Sequence, residues 1–273
     1  YYLQTGDRAK AETYLKAGLK EKERGHVCYL LLSDVYASNG NQEESLKTIK
    51  EGIEDHPEAP ALKMELIRRY RDAGLNMDMI NIMDELDQFI PYHAYKHYFE
   101  YLRALSYYQK DELTNLKEYV DQKKLKDGPF KAKYDINEKG AVKKLAIKPV
   151  IQKSNYCVPA SFEMLLAYFG KKANQDEIAE HIFDVTGSKL SASVEYLEKE
   201  GFACRFFSGS DKRYKTLLLK GIPIILSVDF EHSSHVQLMS GFDERFGFYM
   251  VQDPNFLETM YVTYEEFQKL GVE

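Results

Sequence analysis

The sequence predicts an all-α repeat solenoid followed by an α+β domain, and three observations carry that reading. Anchor residues recur at a spacing of 34 through the first half: Gly6, Gly40 and Gly74, then Tyr2, Tyr36 and Tyr70, then Pro57 and Pro91. A charged, turn-rich stretch over 121–148 then breaks the pattern. From Pro149 onward helical periodicities come first and strand alternation follows, without the interleaving of a parallel doubly wound sheet. At 273 residues the chain has room for about two domains. The expected boundaries are 1–123 for the repeats, 124–148 for a linker and 149–273 for the second domain.

The repeat half is clearest around Tyr29, Leu32, Ser33, Tyr36, Gly40, Asn41, Ser45, Ile49, Gly52 and Pro57. Small residues let two helices of a pair approach, large ones fill the groove between neighbours, and Pro ends the second helix. On these anchors the first half, roughly 120 residues, resembles the tetratricopeptide repeat family. Tyr101, Ala104 and Tyr108, then Leu113 to Val120, make a degenerate fourth pair. The register begins at Tyr2, inside what should be a first helix, so the chain reads as a piece of a longer one. An array of this kind serves as a scaffold or as a groove for a peptide or protein partner. Cys28, beside Tyr29 and Leu32, reads as a small buried apolar residue.

In the second half the expected helices are Ala160–Phe169, Gln175–Phe183, Ser191–Lys199 and Lys212–Leu219. Gly170 and Gly201 stop the first and third, and Asn174 caps the second. Expected strands are Phe202–Phe207, Ile222–Phe230, His235–Phe242, Phe248–Gln252 and Thr259–Val262. Asp243-Glu-Arg-Phe-Gly247 reads as a hairpin turn that sets the third and fourth strands antiparallel.

Composition narrows the function classes. The net charge of −6 argues against nucleic-acid binding by bulk electrostatics. No apolar run is long enough for a membrane span. Three cysteines far apart form neither a disulfide framework nor a metal pattern, and a reducing compartment is the simpler reading. No phosphate loop, metal spacing or cofactor motif appears.

The chemistry concentrates in Gln152-Lys-Ser-Asn-Tyr-Cys157-Val-Pro-Ala-Ser161. Ser154 and Asn155 are cap-type residues, and Pro159 belongs in a first helical turn. Cys157 therefore lies at a helix N-terminus, where exposed N–H groups and the dipole favour a thiolate. The hairpin brings the start of one strand, His235, to the end of the next, Asp253, and Pro254 holds Asp253 extended. A histidine and a carboxylate meeting there can activate the sulfur. His232 reads as a solvated turn residue, His181 as a surface or packing residue, and Cys204 as a structural thiol in a strand.

Together, Cys157-Val-Pro-Ala-Ser161, His235-Val-Gln-Leu-Met-Ser-Gly241, Asp253-Pro254 and Gln152 resemble the papain-like cysteine peptidases of the bacteriocin-processing, double-glycine-leader type over about residues 149–265. The resemblance implies a papain-like fold and a Cys157–His235–Asp253 triad. It also implies an oxyanion hole formed by the Cys157 N–H and the Gln152 side chain, acting on a peptide or protein substrate. This chain has Val158 where the family usually has Gly after the nucleophile, and Gln152 stands one residue closer to the cysteine. The same triad serves deamidases and transacylases, and a degenerate domain would bind peptides without cutting them.

Overall fold

The computed structural model describes residues 8–21, 23–90, 94–125, 128–130, 139–184, 187–230 and 233–269. The anchors Tyr2, Gly6 and Pro91 and the loop residue His232 lie outside the described residues. The chain divides into two compact units, Tyr1–Tyr119 and Val120–Glu273.

The first unit is helical throughout its described part. Its elements are α1 (Arg8–Gly18), α2 (Gly25–Ser38), α3 (Gln42–Asp55), α4 (Pro60–Asp72), α5 (Asn76–Phe89) and α6 (Lys96–Gln109), with α7 (Leu113–Lys123) crossing into the second unit. Successive helices pack from α1 through α6, and α2 also touches α4, as stacked repeats require. The glycines at the turns, Gly40 and Gly74, take left-handed backbone at φ 78 and 70.

The pair α2/α3 shows why its anchors are what they are. Ser33 and Ser45 meet across the interface with hydroxyl oxygens 2.8 Å apart. A Cβ on Gly52 would stand 2.7 Å from Cγ of Tyr29. Replacing Gly52 with alanine therefore overpacks the pair, and the clash outweighs the usual helical gain of Gly→Ala. The expected loss is about 1–3 kcal/mol, read as a lower urea midpoint at unchanged slope. An unchanged or higher midpoint would contradict this packing account.

The second unit is α+β. Its first strand is β1 (Val142–Lys144), in the stretch that precedes Pro149. Then come α8 (Cys157–Tyr168), α9 (Gln175–Ile182), the short pair β2 (Phe183–Asp184) and β3 (Gly187–Ser188), α10 (Leu190–Lys199) and α11 (Asp211–Leu219). The rest of the sheet follows as β4 (Ile224–Phe230), β5 (Ser233–Asp243), β6 (Phe248–Gln252) and β7 (Thr259–Thr263), before α12 (Tyr264–Lys269). All pairings are antiparallel, and β5 is the organising strand. Residues 233–239 of β5 pair β4 and residues 241–243 pair β1, while the other edge pairs β6. The core lies where α8 packs on the sheet, around Phe162, Met164, Leu166, Leu238, Met239 and Phe242.

Two expectations are corrected. Residues 202–207 form no strand. Phe202 and Cys204 face the core as alternation predicts, but Phe206, next in that series, is exposed and Phe207 packs inward in its place. The segment buries one side without pairing to another strand, and alternation alone does not distinguish the two cases. The helix expected from Ala160 begins at Cys157, and neither Ser154 nor Asn155 caps it.

Candidate active site

The local chain explains why the helix opens on the cysteine. Asn155 takes φ 63, a left-handed conformation that asparagine tolerates, inside a turn closed by Tyr156 N–H donating to Lys153 O at 3.0 Å. Asn155 thus stands one residue before the N-cap position. The N-cap is Tyr156, with no side-chain cap bond, and Pro159 falls in the first turn. Ser161, fully buried, donates to Val236 O at 3.3 Å and ties the helix to β5. The first-turn N–H groups are thereby left for an anion at Cys157.

The histidine and the aspartate arrive on the β5–β6 hairpin. Asp253 Oδ1 lies 2.9 Å from His235 Nε2. That bond leaves Nδ1 as the nitrogen available to the sulfur.

This meeting depends on a bulge. The ladder pairs Asp243 with Phe248 and Gly241 with Met250, but Met239 with Val251 and Leu238 with Gln252, so Ser240 is an extra residue. One step further, the shifted register sets Gln237 against Asp253. Were Ser240 paired in a regular ladder instead of bulged, Leu238 would oppose Asp253 and the carboxylate would point to the other face of the sheet. With the bulge, Asp253 shares a face with His235 and Gln237. Gln237 Nε2 donates to Asp253 Oδ2 at 2.6 Å, and the Asn255 N–H donates to Oδ1 at 2.8 Å.

The charges follow from these contacts. Burial opposes ionisation of Asp253, but His235, the Asn255 N–H and Gln237 outweigh it and hold the carboxyl below its ordinary value. His235 is pushed up to about 9, first by the bond to Asp253 and then by the bond to Cys157, against burial. Burial likewise disfavours the Cys157 thiolate. The hydrogen bond to His235, the Val236 N–H, the imidazolium charge and the Val158 N–H together overcome it and lower the thiol. Burial instead raises Cys28 and Cys204, so the three sulfurs differ in kind.

Gln152 is joined to the same loop through its backbone, its N–H donating to Pro254 O at 2.8 Å. Its Oε1 is buried without a partner among the described residues. Val158 is partly buried and packs against the hydrophobic core. His181 stacks on Tyr196 with ring centroids 5.5 Å apart. Among the described residues no cluster suits a metal ion. Sequence reasoning missed Gln237 and Asn255. Gln237 lies two residues after His235, so strand alternation places both on one face. That was an available signal, whereas the bulge that brings Asp253 to them was not.

Residues 144–271 match the model of the Peptidase_C39 like family. No curated protein matches the chain. One similar solved structure is a tetratricopeptide repeat protein from Parabacteroides merdae. It is 19% identical at TM-score 0.38, with 44% of this chain and 47% of that chain covered, so the chain spans about half the length of that relative. Another is a double glycine motif protease from an AMS/PCAT transporter, solved in complex with the leader peptide. It is 16% identical at TM-score 0.39, covering 48% of this chain and 90% of that one. Over residues 144–271 the second unit thus carries the likeness of the Peptidase_C39-like cysteine peptidases, preceded by an array of helical repeats.

Proposed function

We propose that the chain is a thiol peptidase in which Cys157, His235 and Asp253 form the catalytic triad. The observation that carries this reading is the His235–Asp253 pair at 2.9 Å, with the carboxylate buried, beside a helix-start thiol that His235 lowers. The Cys157 thiolate adds to the carbonyl carbon of a peptide bond, and the π pair moves to oxygen. The Cys157 N–H and the Gln152 carboxamide hold that oxyanion. His235, protonated, gives its proton to the leaving amine as the C–N bond breaks. It then takes a proton from water as the oxygen attacks the thioester, the C–S bond breaks, and the acid leaves with the thiolate–imidazolium pair restored. Asp253 keeps the imidazole oriented and stabilises its charged form. The repeats recruit the peptide or protein that is cut.

The test is a fluorogenic peptide panel that includes sequences ending in Gly-Gly, with iodoacetamide labelling of the thiol at neutral pH. Turnover that is lost in Cys157→Ala and rapid labelling of Cys157 are expected. A wild type indistinguishable from Cys157→Ala on every peptide, or slow labelling, overturns the reading.

A pH dependence follows from the two shifts. The imidazolium is held below about 9 and is lost as pH rises through that value. The thiolate is held above the lowered Cys157 value and is lost as pH falls through it. Peptide turnover needs both, so it should follow a bell whose alkaline limb lies near 9. Iodoacetamide alkylation needs only the thiolate and should stay fast above that limb. Alkylation and turnover falling together on the alkaline side would contradict the assigned roles.

A further inference from the structure

The segment that carries Gln152 is held by a side chain from a different helix. Gln175 is the first residue of α9 and is only 9% exposed. Its Oε1 accepts from the Lys153 N–H at 2.8 Å, and its Nε2 donates to Ile151 O at 3.0 Å. One carboxamide thus grips the peptide groups on both sides of Gln152, as a neighbouring strand would. The Gln152 N–H itself goes to Pro254 O at 2.8 Å. Both peptide planes that set φ and ψ of Gln152 are pinned. The clamp is anchored in turn, because the Gln175 N–H donates to Glu163 Oε2 at 2.8 Å, on the helix that begins with Cys157. The Gln152 side chain itself is not part of this frame, and its Oε1 is buried with no partner among the described residues. The oxygen can only accept, so the group that could meet an oxyanion is the Nε2 amide, which makes no hydrogen bond to the described protein.

We propose that Gln175 is a positioning residue that presents the Gln152 carboxamide to the oxyanion, tying the start of α9 to the site at Cys157. The proposal rests on the peptidase reading above. Its physical basis is preorganisation: a donor stabilises developing charge only when it is already aimed, and a misplacement of about 1 Å costs on the order of 10²-fold. A flexible loop bearing Gln152 would lose that advantage. Gln175 supplies the rigidity without touching substrate.

Two reactions of Cys157 separate the parts. Iodoacetamide is displaced directly: the C–S bond forms as the C–I bond breaks and iodide leaves, with no oxyanion. Acetyl-glycyl-glycinal adds instead: the C–S bond forms, the carbonyl π pair moves to oxygen, and that oxygen takes the His235 proton. Gln175→Met, close in volume and unable to hydrogen bond, should leave alkylation within about twofold and weaken aldehyde binding by about 10- to 100-fold. In a Gln152→Ala background the same change should have no further effect beyond about twofold, which a merely structural residue would not show. If Gln175→Met does not fold, Gln175→Glu, which keeps the acceptor for Lys153, carries the same comparison. Fast alkylation with unchanged aldehyde affinity in the Gln175 variant, or full additivity with Gln152→Ala, overturns the positioning role alone. Fast wild-type alkylation with no aldehyde adduct removes the oxyanion hole on which it depends. Slow wild-type alkylation removes the peptidase reading itself.

Discussion

Replacing Cys157 with alanine should lower peptide turnover by about 10⁴- to 10⁶-fold while the protein stays folded. The chemical half of this expectation follows from the sulfur's position. Cys157 is the first residue of α8, and its thiol is lowered by His235 and by the N–H groups of Val236 and Val158 against the opposing effect of burial. Cys28 and Cys204 are raised, so neither can substitute. The structural half follows from alanine, a strong helix former that brings no polar atom into a half-buried site. The His235–Asp253 bond does not involve the sulfur and should persist. His235→Ala should show the complementary pattern. Turnover falls by a similar factor, and alkylation at neutral pH also slows, because the thiolate loses its first favourable partner. Residual turnover within about tenfold of wild type in either variant, with the fold intact by thermal melt, would remove these residues from the mechanism.

The second large effect concerns Asp253, where two substitutions separate charge from geometry. The carboxylate accepts from His235, Asn255 N–H and Gln237 at 2.9, 2.8 and 2.6 Å, and is 5% exposed. Asp253→Asn keeps the shape but supplies only one acceptor oxygen and no charge. The largest cause of the raised His235 value disappears, so the imidazolium loses its proton at lower pH and the alkaline limb of the rate profile moves down from about 9. A turnover loss of about 10²- to 10⁴-fold is expected, below that of removing the nucleophile, as for orienting carboxylates in general. Asp253→Ala goes further and leaves the Gln237 amide and the Asn255 N–H without their acceptor. It should cost about 1–3 kcal/mol of stability in addition. A pH profile in Asp253→Asn that keeps its alkaline limb would show that something other than this carboxylate holds the imidazolium.

How much of this was legible from residues alone depended on whether the signal was local. The helix from Gln175, the Asn174 cap and the hairpin turn at 243–247 were readable, because spacing, capping chemistry and glycine placement act over a few residues. The approach of His235 to Asp253 was readable for the same reason, since a tight hairpin brings its far ends together. Residues 202–207 misled because apolar alternation reports a buried side and not a hydrogen-bonded neighbour. Asn155 misled because asparagine serves a left-handed turn as readily as a cap, and only the fold selects one. The clamp on Gln152 and the support of Asp253 by Gln237 were hidden for a different reason. They are contacts between elements whose relative placement no local pattern states.

The additional residue at Ser240 has a bearing on how this chain can change over time. It makes the site sensitive to parity: as long as the bulge is kept, adding or losing a single residue between His235 and Ser240, or between Phe248 and Asp253, reverses which side of the ribbon the carboxylate occupies. Two such events, one on each arm, cancel. Length variation in the turn at 244–247 is exempt so long as the arms keep their alignment. The distance counted from the imidazole to the acid is therefore not an invariant by which kindred chains should be recognised. A hairpin with a regular ladder and another count could present the same chemistry, while one matching this count without the supernumerary residue would present none.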